Sequence, residues 1–195
     1  MLPRYYLGDK LRFNPRKAAL IIVDMQDKLL KIISDRNKIN SNIQLLIRLA
    51  QLEGMPIVVT KQVKLGELTP EIKEVLPANT VEFEKKSFSI FGDEKISAYI
   101  EGLQKQQLVV TGIETHICIL QSVMDALDEG YRVYVPPDAV ASQIEHDHRY
   151  ALSHMARLGA ITLPSESLVY MAMKTSEYPG FKEILEAVKA RRKNQ

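Results

Sequence analysis

Three side chains suited to nucleophilic chemistry each follow an apolar, strand-like run of this 195-residue sequence. Asp24 follows the run AALIIV, Lys85 comes after TVEF, and Cys118, the only cysteine, comes after QLVVT at the start of a helix-like segment. A thiol in the first turn of a helix is expected to favour its thiolate form, because the helix dipole and a nearby ammonium stabilise negative charge. A carboxylate can accept the thiol proton, and free backbone N–H groups can bind the oxyanion of an attacked carbonyl. These residue types therefore indicate nucleophilic acyl transfer.

Strand-like and helix-like segments alternate along the chain and predict how these side chains are positioned. Runs rich in β-branched residues predict six buried strands, at residues 18–23, 56–60, 80–83, 107–111, 132–135 and 160–163. Apolar residues at helical spacing predict helices, over residues 39–50, 96–103, 117–127, 150–158 and 181–188. Parallel neighbours need crossover connections, so the alternation predicts an α/β fold with a parallel sheet of about six strands and helices on both faces. The last helix is expected to pack on the sheet or on a neighbouring subunit.

The same alternation predicts where a ligand binds, because open parallel sheets bind ligands beyond the carboxyl ends of their strands. Asp24, Lys85, Cys118 and Asp138 follow four different predicted strands and so belong at one edge. Each also has a simpler explanation. An Asp after a strand is often a cap, a lysine pair is usually solvated, and a lone cysteine is usually a small buried hydrophobic residue. Because all four residues are predicted at the same edge of the sheet, a functional site is favoured over these separate explanations.

The composition favours one soluble, cytoplasmic domain. The length and a hydrophobic fraction of 46% fit a single core, and we expect one domain over residues 1–195. With 26 basic and 24 acidic residues, the net charge of +2 argues against nucleic acid or a membrane surface as the main partner. A single cysteine allows no internal disulfide, and no segment reaches the roughly 20 apolar residues needed to cross a bilayer.

Three stretches resemble, in order and spacing, the signatures of the isochorismatase-like cysteine hydrolases: LIIVDMQDK, KKSFSIF and VVTGIETHICILQSVMDALDEGYRVYVPPDAVAS. The resemblance covers roughly residues 17–188. It is closest to the branch called isochorismatase domain-containing proteins, because GIETHICILQS and the late FKEI match that branch. It implies a three-layer α/β/α sandwich around a six-stranded parallel sheet and a triad of Asp24, Lys85 and Cys118. Lys85 is favoured over Lys86 because the family lysine stands three residues before the aromatic of an aromatic-Ser-x-hydrophobic run, which begins here at Phe88.

The resemblance also implies details around the nucleophile. A peptide bond that is cis without being X-Pro is expected between Ile113 and Glu114, and the backbone N–H groups of Glu114 and Cys118 are expected to form an oxyanion hole. The family's nicotinamidases bind a metal through an Asp and two His near the second strand, whereas this chain reads VVTKQVKLGELTPE there, without histidine. The resemblance therefore implies a metal-independent site with no cofactor. Family members commonly form homo-oligomers, so we expect one here.

The hypothesis that follows is a hydrolase that cleaves a small amide, or a related C–N or acyl bond, through a thioester on Cys118. In it Asp24 moves the protons and Lys85 stabilises the thiolate. Further candidates for contacting the small-molecule substrate are Gln26, Phe88, Phe91 and Ile113, although Gln26 is equally explained by a structural role, and His116 either lines the pocket or faces solvent. Two alternatives stay open: a non-catalytic binding or scaffold protein on the same fold, and a redox sensor that uses the Cys118 thiol.

Overall fold

The computed structural model describes residues 12–192, in which strands and helices alternate as predicted. The strands are β1 (Ala18–Val23), β2 (Ile57–Gln62), β3 (Val81–Lys85), β4 (Gln107–Ile113), β5 (Arg132–Tyr134) and β6 (Val140–Ala141). The α-helices are α1 (Asp27–Leu30), α2 (Arg36–Glu53), α3 (Pro70–Lys73), α4 (Glu94–Gly102), α5 (Leu120–Asp128), α6 (Glu145–Leu158), α7 (Ser165–Met173) and α8 (Phe181–Arg192). Two 3₁₀ turns, Pro15–Lys17 and Ile90–Gly92, and a π-helical turn, Thr115–Ile119, complete the elements of this range.

The six strands form one sheet in the order β3-β2-β1-β4-β5, and β6 pairs with the end of β4. Every pairing between these strands is parallel. The central strands β1 and β4 are completely buried, as expected of strands covered by helices on both faces. The predicted fold class, a three-layer α/β/α sandwich, is confirmed.

Alternate residues of β1 point into two separate hydrophobic cores. Leu20 and Ile22 belong to the core that contains buried residues of α2, α7 and α8. Ile21 and Val23 belong to the core on the other face, formed with α4, α5 and α6. Burying an apolar side chain of this size stabilises the fold by about 1.5–3 kcal/mol. The sheet is therefore held from both sides, and its carboxyl edge is a rigid platform.

The sequence predictions differ from the structure at several places, and the short helices α1 and α3 are among the elements that were not predicted. The run 160–163 does not form the sixth strand: Ile161 makes a single parallel bridge to Tyr134, and the short strand β6 takes the sixth place. Helix α7 was not predicted, because its apolar residues lie close behind Pro164 and lack a clear polar face. Helix α8 packs on α2 and α7, and an Arg48–Glu183 ion pair joins it to α2.

Within residues 12–192, no helix combines the length and apolar character needed to cross a membrane.

Candidate active site

The side chains of Asp24, Lys85 and Cys118 meet at the carboxyl edge of the sheet. The Lys85 ammonium donates a hydrogen bond of 2.7 Å to Asp24 Oδ2 and lies 3.7 Å from the Cys118 sulfur. All three residues are buried: Asp24 is 0% exposed, Lys85 1% and Cys118 7%. A buried ion pair is costly to form unless its atoms are well paired, so its position directly against the only thiol suggests a chemical role.

The strand register explains how residues so far apart in sequence come together. Val23 pairs with Thr60 on β2, and two residues further along β2, Gln62 pairs with Lys85 on β3. The end of β1 therefore faces Lys85 across one intervening strand. Asp24 itself has a left-handed backbone with φ of 53°, a conformation that Asp tolerates better than most residues but that is uncommon outside glycine. Such backbone geometry is concentrated at functional sites.

Gly112 brings the nucleophile's strand against the strand that carries the acid. It pairs with Val23 and has φ of +113°. A Cβ atom at this position would lie 1.9 Å from the carbonyl oxygen of Val23, so only glycine fits. The close approach of β4 to β1 sets the distance between Asp24 and the turn that carries Cys118.

Two residues of β2, which sequence reasoning missed, complete the hydrogen bonding of the ion pair. The Thr60 hydroxyl donates to Asp24 Oδ1 at 3.0 Å, and Gln62 Oε1 accepts from the Lys85 ammonium at 2.7 Å. The carbonyl of Ser87 gives Lys85 a further acceptor at 3.2 Å. The rule that selects carboxyl ends of strands would have found Thr60 and Gln62, because they lie two residues apart on one face at the end of β2.

Gln26 has a structural role in this site, and the prediction that it contacts substrate does not fit its position. Its side chain is completely buried. The amide nitrogen donates to the carbonyls of Gln62 and Gly66, and the amide oxygen accepts from the N–H of Gln62. Every polar atom of the side chain is thus used to join the end of β1 to the end of β2.

The thiol of Cys118 differs from the activated thiolate expected from its place near a helix start. Burial raises its pKa to about 12; the negative charge of Asp24 adds to this effect, and the ammonium of Lys85 opposes it. The expectation of a lowered pKa was wrong because it assumed access to solvent, whereas this sulfur is removed from water and faces a carboxylate. Cys118 is therefore a neutral thiol beside the Asp24–Lys85 ion pair.

Cys118 lies within the π-helical turn Thr115–Ile119, directly after the cis peptide bond between Ile113 and Glu114. A hydrogen bond to the connection after β6 fixes this turn: the side chain of Glu114 accepts from the N–H of Gln143 at 2.9 Å. His116 Nδ1 lies 2.9 Å from the Ser142 hydroxyl. His116 therefore faces the connection after β6 and makes no hydrogen bond to Asp24, Lys85 or Cys118. Its neighbour Thr115 is hydrogen bonded to His148.

The three predicted apolar wall residues have different positions. Phe88 is 54% exposed and lies three residues beyond Lys85, so it remains available to a substrate. Ile113 is completely buried in the α2 core, on the opposite face of the sheet from the core that contains Cys118. The ring of Phe91 packs against Tyr131, which precedes β5 and so lies towards the amino edge of the sheet. Ile113 and Phe91 are therefore packing residues, because the strand and turn geometry directs their side chains away from the reacting groups.

Hydrogen bonds to α5 fix the segment that carries Phe88. The Ser89 hydroxyl donates to Asp125 Oδ2 at 2.5 Å, and the Ser122 hydroxyl accepts from the N–H of Ile90 at 3.0 Å. Asp138, the fourth residue predicted at this edge of the sheet, accepts from both the N–H and the hydroxyl of Ser165 and so caps α7. In the described part of the chain, no group of three or more His, Cys, Asp or Glu side chains has an arrangement that could hold a metal ion.

Comparison with known proteins agrees with this fold. The family model of the isochorismatase domain matches residues 18–167. The chain belongs to the isochorismatase family. It is 33% identical to isochorismatase domain-containing protein 1 of Salmo salar, over 93% of this chain and 69% of that protein. It is 31% identical to isochorismatase domain-containing protein 2 of Xenopus laevis, over 89% of this chain and 84% of that protein.

Among solved structures, the fold is similar to one described as MAR1 ribonuclease from Caenorhabditis elegans, with a TM-score of 0.85 and 33% identity. That alignment covers 91% of this chain and 92% of the other. The family resemblance predicted from the sequence is thus confirmed, and the chain has the fold of isochorismatase-like hydrolases.

Proposed function

We propose that this protein is a metal-independent cysteine hydrolase that cleaves a small amide, or a related C–N or acyl bond, through a thioester on Cys118. The observation that carries the proposal is the Lys85 ammonium, which lies between the Asp24 carboxylate at 2.7 Å and the Cys118 sulfur at 3.7 Å. A general base, a cation and a nucleophile are within reach of one another in a place from which water is largely excluded. This is the set of groups that nucleophilic acyl transfer requires.

The raised pKa of Cys118 decides how the first step proceeds. A thiol with a pKa of about 12 is almost entirely protonated at neutral pH, so the enzyme does not store a thiolate. Asp24 accepts the proton as the sulfur attacks the carbonyl carbon: an S–C bond forms, and the carbonyl electron pair moves to oxygen. Lys85 stays protonated and stabilises the sulfur's developing charge. Because Lys85 keeps its bond to Asp24, it also orients the carboxylate during the transfer.

The second step returns that proton. The C–N bond of the tetrahedral intermediate breaks, the protonated Asp24 gives its proton to the leaving amine, and a thioester remains on Cys118. Water then attacks the thioester with Asp24 as the base, the C–S bond breaks, and the departing sulfur regains a proton. The products are an amine and a carboxylic acid, so one water molecule is consumed and no metal or cofactor takes part.

The backbone around the cis peptide supports an oxyanion hole formed by the N–H groups of Glu114 and Cys118. The carbonyl of Glu114 accepts from the N–H groups of Ile117 and Ile119 at 3.1 and 3.2 Å. Its own N–H, in contrast, donates no hydrogen bond to any residue between 12 and 192. A donor left free beside the nucleophile is suited to an oxygen that develops charge only during the reaction.

The burial of the site favours a small substrate. Cys118 is only 7% exposed, whereas Phe88, which follows the Ser87 carbonyl that accepts from Lys85, is 54% exposed. A compact acyl group can reach the sulfur, and Phe88 is then the apolar surface available to the rest of the molecule. The solved structure described as a ribonuclease suggests RNA as another substrate, but the nearly balanced net charge of +2 does not favour binding to a phosphate backbone.

The high thiol pKa also bears on the redox alternative. Oxidation of cysteine proceeds from the thiolate, so a buried, protonated thiol reacts slowly with peroxide. A scaffold protein, in contrast, would keep its partner binding when the thiol is removed. Replacing the Cys118 thiol therefore distinguishes a hydrolase from a redox sensor and from a scaffold protein.

The decisive experiment combines turnover with detection of the thioester. The protein is incubated with a panel of small primary amides, ammonia release is measured, and acid-quenched samples are examined by intact mass. The hydrolase proposal expects an acyl adduct on Cys118 and loss of both signals in Cys118→Ala. RNA is included in the panel, with cleavage measured on a gel. Equal turnover in the wild type and Cys118→Ala would contradict the proposed nucleophile, and RNA cleavage without acylation would contradict the reaction class.

A further inference from the structure

The backbone turn that carries Cys118 is held by the segment 142–148 at three consecutive residues. Three hydrogen bonds, each 2.9 Å long, join Glu114 to the N–H of Gln143, Thr115 to Nδ1 of His148, and Nδ1 of His116 to the hydroxyl of Ser142. Gln143 and Ser142 lie in the connection after β6, whereas His148 lies in the first turn of α6. Of the three bonds, the one between Thr115 and His148 therefore joins the turn to a helix. The proposed chemistry gives these contacts no role.

Thr115 occupies the most buried position of the three. It is 0% exposed, whereas Glu114 and His116 are partly exposed. Its carbonyl accepts from the N–H of Leu120, and the chain between these two residues contains Cys118. Thr115 also directly follows Glu114, whose free N–H is one of the two proposed donors to the oxyanion. The backbone position of Thr115 therefore affects where both the thiol and this donor lie.

Helix α6 is a firm support for the other partner of this bond. Its buried residue Met155 belongs to the same core as Cys118. The N–H of His148 donates to the carbonyl of Ile144 at 3.2 Å and so closes the first turn of the helix. Burial lowers the pKa of the His148 imidazole, so the ring is neutral at pH 7. A neutral ring bonds the Thr115 hydroxyl either as acceptor or as donor, depending on its tautomer.

We propose that His148 is a positioning residue of the hydrolase reaction, which acts through the Thr115 hydroxyl to fix the turn that presents Cys118. This inference rests on the proposed function. His148 contacts neither the substrate nor the reacting groups in this scheme, and it limits the motion of the backbone that carries them. Acyl transfer depends steeply on the placement of the reacting atoms, and a displacement of about 1 Å can slow a reaction by about 100-fold. A hydrogen bond that holds the turn in place therefore contributes to the rate.

A purely structural role for the same bond is the simpler explanation, because a buried hydroxyl is nearly always hydrogen bonded. In that case, removing the bond lowers the free energy of unfolding, and the folded enzyme keeps its kcat. A positioning role instead lowers kcat of the folded enzyme and leaves KM nearly unchanged, since the contacts with the bound substrate are not altered. The kinetic constants of folded protein therefore separate the two roles.

Two substitutions by apolar side chains of similar size remove the bond. Thr115→Val and His148→Leu are each expected to lower kcat by about 3-fold to 10-fold, as for the loss of one neutral hydrogen bond. The double variant should be no slower than the slower single variant, because both changes remove the same interaction. Thr115→Ser keeps the hydroxyl, and His148→Asn places an amide where Nδ1 lies, so these two variants should recover most of the activity. Steady-state kinetics on an amide that the wild type cleaves measures all five variants.

His154→Leu is the matched control, because His154 is an exposed histidine on the same helix. It should leave kcat unchanged. Urea unfolding reports the stability of every variant and shows that the kinetics are measured on folded protein. An unchanged kcat in Thr115→Val or His148→Leu would overturn the proposal, and so would losses that multiply in the double variant.

Alkylation of Cys118 distinguishes failure of this inference from failure of the proposed function. If the wild type cleaves none of the amides, the hydrolase proposal fails, but iodoacetamide labelling still reports the position of the turn. A turn released from α6 gives the reagent better access to a sulfur that belongs to a residue only 7% exposed. Thr115→Val and His148→Leu should then be labelled about threefold faster or more than the wild type and His154→Leu. Equal labelling rates in all four proteins would overturn the positioning role.

Discussion

Gln62 accepts a hydrogen bond of 2.7 Å from Lys85, the same length as the bond that Lys85 donates to Asp24. The ammonium is therefore held between a neutral amide and a carboxylate, and the hydrogen bond to the amide fixes the position of the ammonium. Gln62 also donates to the carbonyl of Lys86 at 2.9 Å and so holds the end of β3 against β2. It orients the lysine without touching the proposed substrate.

Replacing Gln62 with Ala is expected to lower kcat/KM by about 10-fold to 100-fold, because a hydrogen bond to a charged group contributes about 1.5–3 kcal/mol. The loss should lie mainly in kcat, since Lys85 acts on the developing thiolate. Steady-state kinetics on an amide that the wild type cleaves measures it. Gln121→Ala, at an exposed position on α5, is the control. A Gln62→Ala enzyme with unchanged kcat would show that Lys85 needs no such support.

The raised pKa of Cys118 predicts slow alkylation at neutral pH. Because the folded pKa is about 12, the thiolate fraction grows throughout the range from pH 7 to pH 10 without reaching a plateau. The rate of iodoacetamide labelling, followed by intact mass, should rise about tenfold for each pH unit. A plateau near pH 7 would mean that the resting thiol is already ionised and would contradict the assignment of a neutral nucleophile.

Asp24→Asn should make the thiol more reactive while abolishing turnover. The negative charge of Asp24 is one of the causes that raise the pKa of Cys118, so removing it lowers that pKa and speeds labelling at a given pH. Turnover is lost because the base that accepts the thiol proton is gone. Labelling and hydrolysis are measured on the same preparation. A variant that is slow in both assays would indicate that the substitution had disordered the site.

Removing one partner of the buried ion pair is expected to cost more stability than removing both. Lys85→Met leaves the Asp24 carboxylate buried without its cation, at a cost of about 3–5 kcal/mol. Combining it with Asp24→Asn removes the uncompensated charge, so the double variant should be more stable than Lys85→Met alone. Urea unfolding of the wild type, both single variants and the double variant measures the coupling. Additive losses would mean that the two charges do not interact.

Gly112→Ala is expected to destabilise the protein by more than about 2 kcal/mol, since the new Cβ would overlap the carbonyl of Val23 and φ is +113°. The strands β1 and β4 would have to separate, which moves Asp24 away from Cys118. Gly102→Ala is the matched control, because a Cβ there has no atom within 4 Å and the residue ends helix α4. That change should be neutral or stabilising by up to about 1 kcal/mol. Thermal unfolding of both variants distinguishes them, and similar losses would contradict the close-approach explanation.

Local patterns placed Asp24, the Lys85–Lys86 pair and Cys118 at strand ends, and the family resemblance selected Lys85 over Lys86. Thr60 and Gln62 could have been recognised as polar residues at a strand end, but their hydrogen bonds to Asp24 and Lys85 depend on the strand register, which places Val23 beside Thr60 and Gln62 beside Lys85. Sequence reasoning misjudged Phe91, Ile113 and the thiol pKa for a related reason. The face to which a side chain points and the water that reaches it are set by the packing of distant elements, and one strand or turn does not contain that information.

The reacting groups come from the ends of different strands or from the turn directly after one, and the longer connections between strands carry none of them. Exposed side chains on these connections, such as Phe88, can therefore change while the acid, the cation and the thiol keep their places. Related chains can acquire new substrates through changes in these connections alone. In this architecture the reaction is inherited with the sheet, and specificity diverges in the loops.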